Sequence, residues 1–171
     1  MKFAHALTCA IGLFLLTEIA AKAADNVLLK EQEGPWKSAC YKDGGVEAPY
    51  CRIMIVNVFG GSKKSTNFVQ FGLAFDRGRV GFVFATYHGF APESKVKVKI
   101  DNNERHVLQT SKENHTISPD DMGMAIFEQM KAGKSITVDF KLSSGITRAL
   151  DFSLEGFKTL YPDVQKTLAG T

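Results

Sequence analysis

The sequence lacks the short motifs that announce a reaction. It has no Gly-x-Ser-x-Gly nucleophile elbow, no glycine loop of the phosphate-cradling kind and no calcium-loop pattern. Histidine is scarce, with four in the chain, and His88, His106 and His115 never recur at the i, i+4 spacing of a helical metal pair. The formal net charge is only +3, and no basic stripe is interleaved with aromatics. That argues against a nucleic-acid partner. No internal repeat is present, and no second long apolar run comes after the N-terminal one. These absences predict no metal, no cofactor, no nucleic acid and no transmembrane segment in the mature chain. An enzyme with dispersed residues is the alternative they leave open.

What is present begins with an export signal. "MKFAHALTCAIGLFLLTEIAAKA" has a short positive start at Lys2, a mostly apolar run from Phe3 to Leu16, and the small-x-small pattern Ala21-Lys22-Ala23. The apolar run is too short to span a bilayer. Cleavage after Ala23 removes Lys2, Lys22 and Glu18, so the mature charge falls by one. Residues 24–171 then suit one domain with a single core. Residues 24–34 carry charge with little periodicity and read as a flexible arm, with a single β domain over 35–171.

Cys9 leaves with the signal, so Cys40 and Cys51 are each other's remaining partners. In an oxidising compartment an even pair, close in sequence, reads as a disulfide. A zinc site would need further ligands that no cluster supplies. A redox pair commonly sits closer together and at a helix start. The intervening Lys42-Asp43-Gly44-Gly45 and Pro49 are turn chemistry, so a structural hairpin clip is favoured over the redox and metal readings.

Strand periodicity sets in at Trp36, with "WKSACY" and "YCRIMIVNVF" as the strands that flank the cysteine loop, and it dominates the chain from there. "NFVQFGLAFD" places Val69, Phe71, Leu73 and Phe75 on one face, and "VGFVFATYH" puts Val80, Phe82 and Phe84 in phase after a tight "DRGR" turn. "KVKVKID" is the cleanest alternation: Val96, Val98 and Ile100 point one way, and Lys95, Lys97 and Lys99 the other. Asp101-Asn102-Asn103 then predicts a hairpin into "ERHVLQT". The lysine face is the candidate binding surface, with the Gly60 to Ser65 loop "GGSKKS" as a second. The blander readings of the lysines are a solvated face or an edge strand guarded by lysine.

Two helices interrupt the strands. Over about 119–132, Ser118 is placed as N-cap, Pro119 at the first helical position, and Ile117 with Met122 as a staple. Met122, Ala125, Ile126 and Met130 form the apolar stripe, and Gly133 ends the helix. Asp120-Asp121 read as helix-start acids rather than a catalytic pair. "SITVDFKL" and "ITRALDFSL" are strands around Ser143-Ser144-Gly145. Pro162 places the second helix over about 159–168. The fold class is mainly β, an antiparallel β-sandwich or curled sheet of about eight strands with two short helices. His88, at a strand end beside Gly89, is the best single histidine, with a structural or solvent-exposed role the commoner one.

The order of landmarks resembles the bacterial invasion-associated locus B family. They are an export signal, "WKSAC", "YCRIMI", a helix running into "MKAGKSITVDF", and a closing "FSLEGFKTLYPDVQ". The resemblance spans about Trp36 to Leu168. Members often carry a second cysteine pair around the helix region; "LQTSKENHTISPDDMG" has none, and the capping residues around Ser118 are expected to do that ordering instead. The resemblance implies an exported protein of Gram-negative bacteria, periplasmic, outer-membrane-associated or secreted, acting by binding an envelope component or a host-cell surface. It supplies no catalytic residues. The alternatives are a periplasmic enzyme or thiol-redox protein, and a small-ligand carrier using the phenylalanine-rich interior.

Overall fold

A computed structural model of the chain describes residues 26–42, 48–62, 65–87, 89–110 and 115–170. The expected signal peptide, His88 and residues 43–47 between the cysteines lie outside the described residues. The described elements are β1 (Asn26–Glu33), β2 (Trp36–Lys42), β3 (Tyr50–Ser62), β4 (Ser65–Asp76), β5 (Arg79–Thr86), β6 (Lys95–Ile100), β7 (His106–Gln109), β8 (His115–Ile117), α1 (Asp120–Ala132), β9 (Ser135–Lys141), β10 (Thr147–Ser153) and α2 (Glu155–Ala169).

The strands form two antiparallel sheets, one ordered β1-β2-β3-β4-β5-β8 and the other β10-β9-β6-β7. The fold is mainly β, as the alternation predicts. Val69, Phe71, Leu73, Phe82 and Phe84 on the first sheet, and Val96, Val98, Ile136 and Val138 on the second, are all fully buried. Their inner faces meet through rings. Phe71 lies 5.6 Å from Phe152, and Phe84 lies 4.9 Å from Phe140. A second aromatic group joins Phe75, Phe127, Tyr161 and Phe157 beneath the helices.

Several local expectations are corrected. Residues 26–33, expected as part of an arm, form β1 and pair with β2 from Asn26↔Lys42 to Glu33↔Trp36. Its charged residues conceal a strand because it is an edge strand, where lysine and glutamate face water. α2 starts at Glu155 and runs through Pro162, because Gly156, Phe157, Leu160 and Val164 all bury on one side. That packing outweighs the lost backbone donor of proline.

α1 starts at Asp120 with Pro119 at the cap position and no side-chain cap. Ser118 serves the first sheet instead. Its hydroxyl accepts the Phe82 N–H at 2.9 Å, while its own N–H donates to the Phe82 carbonyl at 2.9 Å. Ile117 is 59% exposed and lies over Gly81 rather than stapling the helix. The buried stripe of α1 is Gly123, Ile126, Phe127 and Met130, with Ala125 exposed. A Cβ at Gly123 would fall 2.1 Å from the Val80 carbonyl oxygen, so this glycine lets the helix touch the backbone of β5.

Candidate functional site

Cys40 and Cys51 face each other directly in the β2–β3 ladder, and a disulfide joins them. Both are fully buried. The clip therefore pins the centre of the first sheet, within the core cluster that also holds Trp36 and Ile53. Reactive cysteines normally sit in partly exposed, electropositive surroundings. Among the described residues no group of three His, Cys, Asp or Glu is placed to hold a metal ion. His106 shares a 3.1 Å hydrogen bond with Gln129, and His115 lies on β8, so the structure does not bring these two histidines into one site.

The lysine face of β6 is built by simple alternation. Val96, Val98 and Ile100 are fully buried, which directs Lys95 and Lys97 into solvent and leaves Lys99 half-exposed. Alternate residues of a strand repeat every ~6.6 Å, so the three stems stand in a row about 13 Å long. β6 is an interior strand between β9 and β7, which corrects the edge-strand reading. On the outer face Lys97 lies opposite Asp139 in β9 and Val107 in β7, and Lys99 lies opposite Thr137. Asp139 is engaged by Arg105 at 3.7 Å. Asp151 accepts the Thr137 hydroxyl at 2.5 Å. The nearby carboxylates are thus held by other groups.

A second surface is only partly signalled in the sequence. On the outer face of the first sheet a depression of about 430 Å³ is lined by Lys30, Glu31, Gln32, Lys37, Ser38, Ala39, Tyr41, Arg52, Met54, Val56 and Gln70. Register explains it. Lys30 pairs with Ala39, Ala39 with Arg52, Lys37 with Met54, and Val56 with Gln70. Met54 faces Gly72, where a Cβ would fall 2.1 Å from the Ile53 carbonyl oxygen, so no side chain can fill that place. Arg52 stands over the Tyr41 ring at 5.4 Å and reaches its hydroxyl at 3.4 Å. The period-2 alternation of Lys37, Ala39 and Tyr41 against Trp36, Ser38 and Cys40 hints at this face. The face stays hidden because the charged β1 does not look like a strand.

The Gly60 to Ser65 stretch, the other candidate surface, is the tip of the β3–β4 hairpin, with residues 63–64 outside the described set. Among the described residues no helix is long and apolar enough to cross a membrane.

The two stretches that carry the sequence resemblance meet in space. Trp36, at the head of "WKSAC", donates its indole N–H to the Ser153 carbonyl at 2.7 Å and lies 5.7 Å from Phe157. Ser153 to Phe157 are the "SLEGF" of the closing segment. A disulfide-clipped hairpin fastened to the last helix through one tryptophan defines the class of domain. The family model for invasion associated locus B protein matches residues 36–165, and the chain belongs to that family. Among solved structures it is similar to invasion associated protein B from Bartonella henselae, at 14% identity and TM-score 0.49, covering 81% of this chain and 99% of that one. No curated protein matches the chain.

Proposed function

We propose that this is an exported, non-catalytic binding protein of the bacterial envelope, and that Lys95, Lys97 and Lys99 form its contact surface. The observation that carries the reading is the row of three lysines on an interior strand, none of them in an ion pair with a described carboxylate. A row of solvated ammonium groups on a rigid sheet attracts an anionic partner over the range of the Debye length. Family membership supports an envelope or host-facing setting. A buried disulfide is a feature of oxidising compartments and supports export. Cleavage after Ala23 is part of the same proposal.

The test combines fractionation with capture. Cells producing the full chain are separated into cytoplasm, periplasm, membranes and medium. The mature species is sequenced from its N-terminus, and intact envelopes are probed for bound protein. Recovery outside the cytoplasm, beginning at Ala24, with envelope capture lost on joint Lys95→Glu, Lys97→Glu and Lys99→Glu substitution, is the expected result. A cytoplasmic, unprocessed chain, or capture unchanged by the triple reversal, contradicts it.

A further inference from the structure

We infer that the depression on the outer face of the first sheet is a second binding site, for an extended acidic segment of a partner protein. The lysine row of β6 belongs to the other sheet, so this inference stands apart from that surface.

The charge pattern comes first. Lys30, Lys37 and Arg52 surround Ala39 from three strands. With strands ~4.8 Å apart, the Cα atoms of Lys30 and Arg52 stand about 10 Å from each other across Ala39. None of the three has a carboxylate within ion-pair distance among the described residues, and Glu31 is the one carboxylate lining the depression, against three cations. An anion placed over Ala39 is met by all three.

Arg52 favours a carboxylate. Its guanidinium is held against Tyr41, where one terminal nitrogen donates to the Tyr41 hydroxyl, and a guanidinium has further N–H donors with which to meet a carboxylate. The same contact occupies one face of the Tyr41 ring, and Tyr50 lies 6.4 Å from it in near-parallel orientation. That ring is accordingly a poor platform for stacking a sugar.

The floor then selects an extended chain. Two residues along β3 from Arg52 comes Met54, and two further comes Val56, which is 42% exposed. Groove-facing residues of an extended peptide repeat every 6.6–7 Å, the same step as the rows Arg52, Met54 and Val56. An acidic residue over Ala39 thus brings its next same-face neighbour over Met54, and the one after that over Val56. An apolar side chain fits there, and methionine adapts to its shape. The recognised pattern is acid, any residue, apolar residue.

The test uses the full mature chain and fluorescence anisotropy. The probe is a labelled peptide repeating Glu-Ser-Val-Ser, with Gln-Ser-Val-Ser and Glu-Ser-Ser-Ser as controls. The glutamate–valine peptide should bind at least about tenfold more tightly than the glutamine peptide, and joint Lys37→Glu and Arg52→Glu substitution should lower its affinity by at least about tenfold. The triple reversal on β6 should change it less than about twofold, which separates this site from the other surface. Should loss of the Arg52–Tyr41 contact unfold the double variant, Lys30→Glu alone should still weaken binding by roughly threefold to fivefold. Equal binding of the glutamine peptide, no saturable binding, a loss shared by the β6 variant, or preference for phosphatidylglycerol vesicles over the peptide would overturn the inference.

Discussion

Trp36 lies against the place where Gly156 has no side chain. A Cβ there would fall 2.8 Å from Trp36 Cδ1 and 2.5 Å from the Glu33 carbonyl oxygen. One contact thus ties the start of the domain to its last helix, with the indole N–H fixed on Ser153. Gly156→Ala is expected to cost about 1–3 kcal/mol by overpacking. Urea unfolding of the two proteins checks it, and a midpoint unchanged at constant slope contradicts it.

The Cys40–Cys51 clip closes a short loop within the core. Cross-linking a loop of this size lowers unfolded-state entropy by an amount equivalent to roughly 3 kcal/mol in the chain-entropy model. Reduction under native conditions should be slow, because both sulfurs are buried, while reduction in denaturant should be fast. Once reduced, the protein should melt several degrees lower. Rapid thiol labelling of the native, unreduced protein would instead favour a redox role.

Pro162 sits on the exposed side of α2 and interrupts its hydrogen-bond ladder. Pro162→Ala should restore a backbone donor without disturbing Leu160 or Val164. A gain of about 1–3 kcal/mol in unfolding free energy is expected. Loss of stability would mean that proline fixes a bend the packing requires.

Asp101 occupies a left-handed turn with φ 48° after β6. Its carboxylate accepts the N–H groups of Lys134 and Ser135 and the Ser135 hydroxyl, at 2.8–3.1 Å. The Lys134 N–H first, then that of Ser135, holds its pKa below the usual carboxylate value. A lowered folded-state pKa contributes stability above the unfolded-state pKa of about 3.9, and this is lost as pH falls through the lower folded value. Asp101→Asn should therefore flatten the stability curve in the acid range below about pH 4 and leave its shape near neutrality unchanged. Stability measured across that range in both proteins decides it.

Strands with strict alternation are legible because only one face is apolar: the β4, β5 and β6 core residues lie where the pattern puts them. β1 is not legible, since an edge strand with Lys30, Glu31 and Glu33 looks like solvated coil. The early start of α2 is hidden by Pro162, whose local penalty is overridden by packing of Phe157 against Trp36, and no local pattern reports that contact. Ser118 has the look of a helix cap, but its hydroxyl has a better partner, the Phe82 N–H, from a strand distant in sequence. For the candidate surfaces, the lysine row comes from alternation alone. The Lys30–Lys37–Arg52 triad requires the register of three strands, one of which carries no strand signature of its own.

The central claim is that binding runs through charge on the Lys95–Lys97–Lys99 face. The most direct measurement is an equilibrium binding isotherm of the purified mature protein on isolated envelopes, taken at low and at physiological salt. The account predicts saturable binding that weakens steeply as salt rises, and loss of at least about tenfold in affinity for the triple glutamate variant with its melting temperature preserved. Binding that ignores both salt and the triple reversal would contradict it.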